Sequence, residues 1–320
     1  MHESHITFPS AGHTLAGTIT RPDGAGPFPA AVIVPGSGPV DRDSNLKNKR
    51  LDVTRQLALA LAEAGVASLR YDKRGVGEST GDFRATGFYD NADDVEAALG
   101  TLAVTADMDP SRLVLVGHSE GAALSALVAA RSELPAAVVL LSGFAAPGQE
   151  VMIWQARQIG PTLPAPVRLL MRVLPGDLES RVRKNHARVL ATTTDVARIG
   201  GQRINARWMR EFMTHEPRED LRRLTVPVLA VTGSKDLQTN PADLSMMADL
   251  VPGPIETHEI PDVTHLLRHQ PGPASLSAYK KEMRQPVDAR VLQLVSSWVA
   301  RVTGEVAQPV GTEQPASGVE

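Results

Sequence analysis

The pentapeptide Gly117-His118-Ser119-Glu120-Gly121 fits the pattern G-x-S-x-G. It follows the apolar run "LVLV" and leads into "GAALSALVAA", so it reads as a sharp strand-to-helix turn. Such a turn strains the serine and needs small residues two positions away on each side, where backbone segments approach each other. Gly117 and Gly121 meet that need. The serine then stands at a helix N-terminus, where N–H groups and the helix dipole favour negative charge. The chemistry this suits is attack of a hydroxyl on a carbonyl. A serine hydroxyl is a weak nucleophile alone, so a base and an acid that orients the base must come from elsewhere.

Nine histidines are available. His118 is the sequence neighbour, but successive side chains leave a tight turn in different directions, so it is expected to pack against the sheet or a helix. His2, His5 and His13 fall in an N-terminal hairpin, His186 and His215 in an insertion, and His258 within a strand. His265, in "PDVTHLL", lies just past the last strand, at the sheet edge where ligands bind in doubly wound folds. His269 follows it, but no carboxylate has metal-site spacing, and no metal is expected. Asp236 closes "VLAVTGSKD" at another strand end. The loop after the previous strand, "LLSGFAAPG", has no acid until Glu150, and Asp262 reads as a loop carboxylate. Ser119, His265 and Asp236 are therefore the candidate nucleophile, base and acid. An oxyanion needs two donors. The candidates are the backbone N–H of Glu120 and that of Ser37 in Pro35-Gly36-Ser37-Gly38-Pro39, with Gly38 the near alternative. Pro39 has no N–H to offer. A dinucleotide reading of "GSGPVD" fails because Asp41 occupies the third glycine position, so no cofactor is expected.

These residues need a scaffold. Residues 4–21 alternate loosely around "SAGHT", as a β-hairpin does. "PAAVIV", "VASLRYD", "RLVLVG", "PAAVVLL", "TVPVLAVTG" and "IETHEI" read as strands. Between them "LDVTRQLALALAEAG", closed by Gly65, and "NADDVEAALGTLA" read as helices, as do "EGAALSALVAA", "NPADLSMMADLV" (capped by Asn240, with Pro241 at its first turn) and "VDARVLQLVSSWVARV". Strands apolar on both faces, alternating with helices, predict a mostly parallel sheet covered on each side. The rhythm stops at residues 147–223, where no strand-like run is evident and 167–174 and 205–216 read as amphipathic helices. Four segments follow: a first core part (1–146), a helical cap insertion (147–223), a second core part (224–302) and a disordered tail (303–320).

Composition narrows the class. The net charge of -3 gives no general attraction to nucleic acid, and the absence of cysteine excludes disulfides and a thiol nucleophile. No secretory leader or long apolar run is visible, so a cytoplasmic protein without stable membrane insertion is expected. Residues 151–223 carry a net +7, which reads as a solvated helix face. Trp154, Trp208, Met209, Phe212 and Met213 are candidates to line a substrate pocket with Gly38, or to pack the cap on the core. Asp41, Arg42 and Asp43 read as a loop brace, with binding of a peptide amino terminus as the alternative.

The chain resembles the α/β-hydrolase superfamily over nearly all of residues 5–302. "YDKRGVGEST" is similar to its D-x-R-G-x-G-x-S segment. "GHSEG", "GSKD" and "THLL" look like its nucleophile, acid and base motifs, in the order Ser, Asp, His. "PGSGPVDRD" is similar to a branch of bacterial serine esterases labelled serine aminopeptidase-like or acyl-peptide-hydrolase-like. Pro35-Gly36 stands where many members have His-Gly. The resemblance implies a cap inserted before the acid strand. The expected function is serine carboxylesterase action on a small-molecule ester with short to medium acyl chain, through an acyl-enzyme. A peptidase on short peptides and a non-catalytic binding protein of the same fold are the alternatives.

Overall fold

The computed structural model describes residues 1–163 and 176–306. Its strands are β1 (His2–Ser10), β2 (His13–Arg21), β3 (Phe28–Val34), β4 (Ala67–Tyr71), β5 (Met108–His118), β6 (Pro135–Leu141), β7 (Val196–Ile199), β8 (Gln202–Asn205), β9 (Val228–Gly233) and β10 (Ile255–Ile260). Its helices are α1 (Val53–Glu63), α2 (Phe88–Ala103), α3 (Glu120–Arg131), α4 (Gly148–Thr162), α5 (Leu178–Leu190), α6 (Ala206–Thr214), α7 (Pro217–Leu221), α8 (Asp243–Leu250), α9 (Tyr279–Glu282) and α10 (Ala289–Val306).

Eight strands form one sheet in the order β1-β2-β4-β3-β5-β6-β9-β10. The β1–β2 hairpin pairs antiparallel, β2 pairs antiparallel with β4, and every other neighbour is parallel. Successive strand side chains point to opposite faces, and both faces here are apolar. Val32, Val34, Leu113, Leu115, Val138 and Leu140 pack with α2 and α3 on one side. Ile33, Val114, Val116, Val139, Leu141 and Val231 pack with α1 and α10 on the other. That double burial explains the near-continuous apolar runs in the sequence. It also gives the α/β-hydrolase arrangement expected from the resemblance. Ala11 (φ 45°) and Gly12 (φ 82°) form the hairpin turn at "SAGHT".

Four local readings need correction. The 147–223 segment contains strands after all: β7 and β8 pair as a small hairpin around Gly200 and Gly201. Each strand has only four residues, with arginines at 198 and 203, so neither shows an apolar alternation. The helix expected from Asn240 begins at Asp243; the Asn240 side chain instead accepts from the Ala242 N–H (3.2 Å) in the preceding turn. The helix expected from Leu51 begins at Val53, while Gly65 ends it with φ +82° as the sequence implies. The last helix runs on to Val306 with Thr303 buried, so the core does not end at 302 and residues 303–306 are not tail. The amphipathic segment 167–174 and residues 307–320 lie outside the described residues. Among the described residues no helix is long and apolar enough to cross a membrane.

Candidate active site

Ser119 sits between β5 and α3 with φ 57° and ψ -119°, a backbone conformation side-chain-bearing residues rarely adopt. The turn is held by the Ser119 N–H donating to Leu141 O (2.9 Å) and the Ala122 N–H donating to Ser119 O (2.9 Å). The flanking glycines are required by contact. A Cβ on Gly117 would run into the Gly121 carbonyl, and one on Gly121 into the Val34 carbonyl.

The structure brings His265 to this serine from 146 positions further along the chain, with His265 Nε2 3.0 Å from Ser119 Oγ. His265 Nδ1 lies 2.8 Å from Asp236 Oδ2 and 3.1 Å from Oδ1. Asp236 follows β9 and His265 follows β10, so all three side chains rise from the C-terminal ends of parallel strands. The Asp236 carboxylate is buried, which by itself would raise its pKa. The His265 charge and hydrogen bond, with N–H donors from Thr239 and Gln238, outweigh burial and hold it below the usual carboxylate range. Thr239 Oγ1 donates to Oδ2 as well (2.9 Å), so every face of the acid is fixed. Asp262 is a loop carboxylate, half-buried and paired with Lys235 (2.6 Å).

His118 is buried but faces the base rather than the sheet. Its Nε2 lies 2.8 Å from the His265 backbone carbonyl. Burial and the neighbouring His265 push its pKa down to about 3, so the ring is neutral and donates from Nε2. In an unfolded chain this histidine takes up a proton below about pH 6.5. The native state refuses that proton until about pH 3, so stability falls as pH drops through this window. His118→Gln keeps a donor near Nε2 and loses the titration. Its melting temperature should fall less than that of the unaltered chain between about pH 6.5 and 4. Parallel melting curves check this, and equal slopes would count against it.

Arg268 is a second support that the sequence did not flag. It is 1 % exposed, and its guanidinium donates to the carbonyls of Leu266, Leu51 and Gln285. It thereby ties the turn after His265 to segments far away in sequence. An arginine in a loop has no pattern that announces such a role.

The loop after β3 lies against the serine: a Cβ on Gly36 would come within 3.4 Å of Ser119 Cβ. Ser37 follows, and Gly38 has φ +99°, where glycine is favoured. Glu120 opens α3, so its N–H is among the helix N-terminal donors with no intrahelical acceptor. Beyond this loop the Asp41–Asp43 segment is a brace. Arg42 grips Asp72 through Nη2 (2.6 Å) and Nε (3.1 Å), and Asp43 accepts from Arg70 (2.7 Å). Asp41 accepts the N–H groups of Asp43 and Asn45. Gly77 (φ +56°) packs so closely on Asp72 that a side chain there would collide with it.

Glu120 also uses its carboxylate. Its Oε2 lies 3.0 Å from Lys73 Nζ, and both side chains are buried (2 % and 3 % exposed). Its Oε1 accepts from Asn91 Nδ2 (3.1 Å) and Trp208 Nε1 (2.7 Å). Lys73→Met would leave that carboxylate buried without its counter-charge and should cost about 3–5 kcal/mol of stability. A urea unfolding curve measures the loss, and a change under 1 kcal/mol would refute the assignment.

The candidate pocket residues separate. Trp208 stacks on Phe212 (centroids 4.9 Å apart, planes at 8°), and Phe212 meets Phe88 and Phe144. Phe212 thereby joins the 147–223 segment to the sheet-covering helix α2, and Met213 beside it is buried. Trp154 lines a cavity of about 550 Å3 with Ile153, Arg157 and Met246, among others, but neither Ser119 nor His265 borders it. Met209 is half-buried on α6 and does not line that cavity.

A strained serine on a strand-to-helix turn, with histidine and aspartate at neighbouring strand ends of an eight-stranded, mostly parallel sheet, defines an α/β-hydrolase. The chain belongs to the family described as serine aminopeptidase, S33, whose model matches residues 48–271. It is 29% identical over 290 residues to esterase EstD of Thermotoga maritima, covering 90% of this chain and 66% of the relative, so it spans just under two thirds of that protein. Among solved structures it is similar to the α/β-hydrolase GrgF from Penicillium sp. sh18 (TM-score 0.63, 16% identity, 95% of this chain and 100% of that one). It is similar also to Est1E from Butyrivibrio proteoclasticus with ferulic acid bound (TM-score 0.60, 20% identity, 94% and 98%).

Proposed function

We propose that the protein is a serine hydrolase that cleaves carboxylic esters of short to medium acyl chain. The observation that carries the reading is the continuous Ser119–His265–Asp236 array, with His265 Nε2 at 3.0 Å from the hydroxyl and Nδ1 at 2.8 Å from the acid. His265 takes the Ser119 proton as Oγ adds to the ester carbonyl. The oxyanion is received by the N–H groups of Ser37 and Glu120. Collapse expels the alcohol, which His265 protonates, and leaves an acyl-serine. Water, deprotonated by the same histidine, adds to the acyl carbon and releases the acid with Ser119 restored. Asp236 keeps the His265 proton on Nδ1, so that Nε2 can accept. The esterase name of the Thermotoga relative supports this substrate class. In the 41–43 loop Arg42 and Asp43 are taken up by pairs with Asp72 and Arg70, and Asp41 accepts two backbone N–H groups, which favours an ester over a peptide amino terminus. Turnover of p-nitrophenyl butyrate against an amino-acid p-nitroanilide tests the choice. Faster turnover of the anilide would reverse it.

A further inference from the structure

We propose that the Glu120 carboxylate is a latch through which cap helix α6 sets the position of the Glu120 N–H, with Trp208 as the positioning residue. This rests on the reading of that N–H as an oxyanion donor. Three elements reach the carboxylate: Lys73 from the end of β4, Asn91 from α2 and Trp208 from α6. Of the three, Trp208 alone comes from the cap. Its indole N–H is not needed for packing, because the stack on Phe212 uses only the rings. The N–H instead makes the shortest of the three bonds, 2.7 Å.

The start of α6 is itself fixed to the core. Asn205 Oδ1 accepts the Trp208 backbone N–H (2.9 Å), and its Nδ2 donates to the Phe83 and Thr86 carbonyls (2.9 and 2.6 Å). Arg207 reaches Asp90 on α2 (3.0 Å). A seated α6 therefore presents the indole at one place, and the carboxylate is pinned there. Side chain and N–H share one Cα at the first position of α3, so pinning one limits rotation of the other. Lys73 answers the electrostatic difficulty. A bare carboxylate beside a developing oxyanion would oppose it, and the ammonium 3.0 Å away offsets that charge.

The test is Trp208→Phe, which keeps an aromatic ring against Phe212 and removes the donor together with part of the ring volume, a volume loss that any background shares. With p-nitrophenyl butyrate, kcat should fall about tenfold, within the range a small misplacement of a reacting group produces. KM should stay within about twofold, and affinity for a trifluoromethyl ketone, which mimics the tetrahedral intermediate, should fall in step with kcat. In a Lys73→Met, Glu120→Ala background, where no acceptor and no stranded charge remain, adding Trp208→Phe should change kcat no further. An unchanged kcat in Trp208→Phe, an effect confined to KM, or the same factor in both backgrounds overturns the latch. If the unaltered chain shows no Ser119-dependent turnover, the ester-hydrolase reading has failed instead.

Discussion

Replacing Ser119 by alanine is expected to lower kcat on p-nitrophenyl butyrate by about 10⁴–10⁶, because removing a nucleophile disables the whole array rather than one contact. The hydroxyl is the only group lost. Alanine keeps the Cβ and the φ of 57°, so the elbow and its bonds to Leu141 and Ala122 stay in place. The melting temperature should therefore hardly move, which separates loss of chemistry from loss of fold. A fluorophosphonate should label the unaltered chain at Ser119 and leave the variant unlabelled. Retained turnover in the variant would remove Ser119 from the mechanism.

The second large effect is expected at Asp236. Its Oδ1 accepts two backbone N–H groups, from Gln238 and Thr239, so in Asp236→Asn the amide oxygen must stay there. The amide NH2 then takes the Oδ2 position, 2.8 Å from His265 Nδ1. A donor now faces Nδ1, which must become an acceptor. The ring proton moves to Nε2, pointing at the hydroxyl it was meant to deprotonate. The expected cost is about 10⁴ in kcat at neutral pH, the size of effect a wrong tautomer produces in a Ser-His-Asp array. Steady-state kinetics with a melting curve checks it, and a loss under tenfold would show that His265 is oriented by something else. In the unaltered chain the acid is held below the usual carboxylate range, so it remains ionised across mildly acidic pH. The acid limb of the rate profile should therefore not belong to Asp236.

Much of the site was legible because each part obeys a local rule. Gly117 and Gly121 mark a turn too tight for side chains, and Asp236 and His265 follow apolar runs that must be parallel strands. What escaped depended on partners distant in sequence. Lys73, Asn91 and Trp208 converge on Glu120 from 47, 29 and 88 positions away, and none carries a spacing signal. The bond from His118 to the His265 carbonyl follows from where the β10 loop returns, not from its own neighbours. The β7–β8 hairpin stayed hidden because strands of four residues with arginines resemble loop. Arg268 gives its hydrogen bonds to backbone carbonyls, and carbonyls leave no trace in a sequence.

The 147–223 segment enters the sheet between two strands that are neighbours in space. Strands β6 and β9 are hydrogen-bonded neighbours although residues 142–227 lie between them. Loop-closure entropy rises only with the logarithm of length, about 0.6 kcal/mol per doubling, so this connector costs only about 2 kcal/mol more than a minimal crossover helix. The sheet is nearly indifferent to what is spliced in at this point. Any segment spliced in here in place of the present one would have to supply its own partner for the Glu120 carboxylate that the Trp208 indole now satisfies.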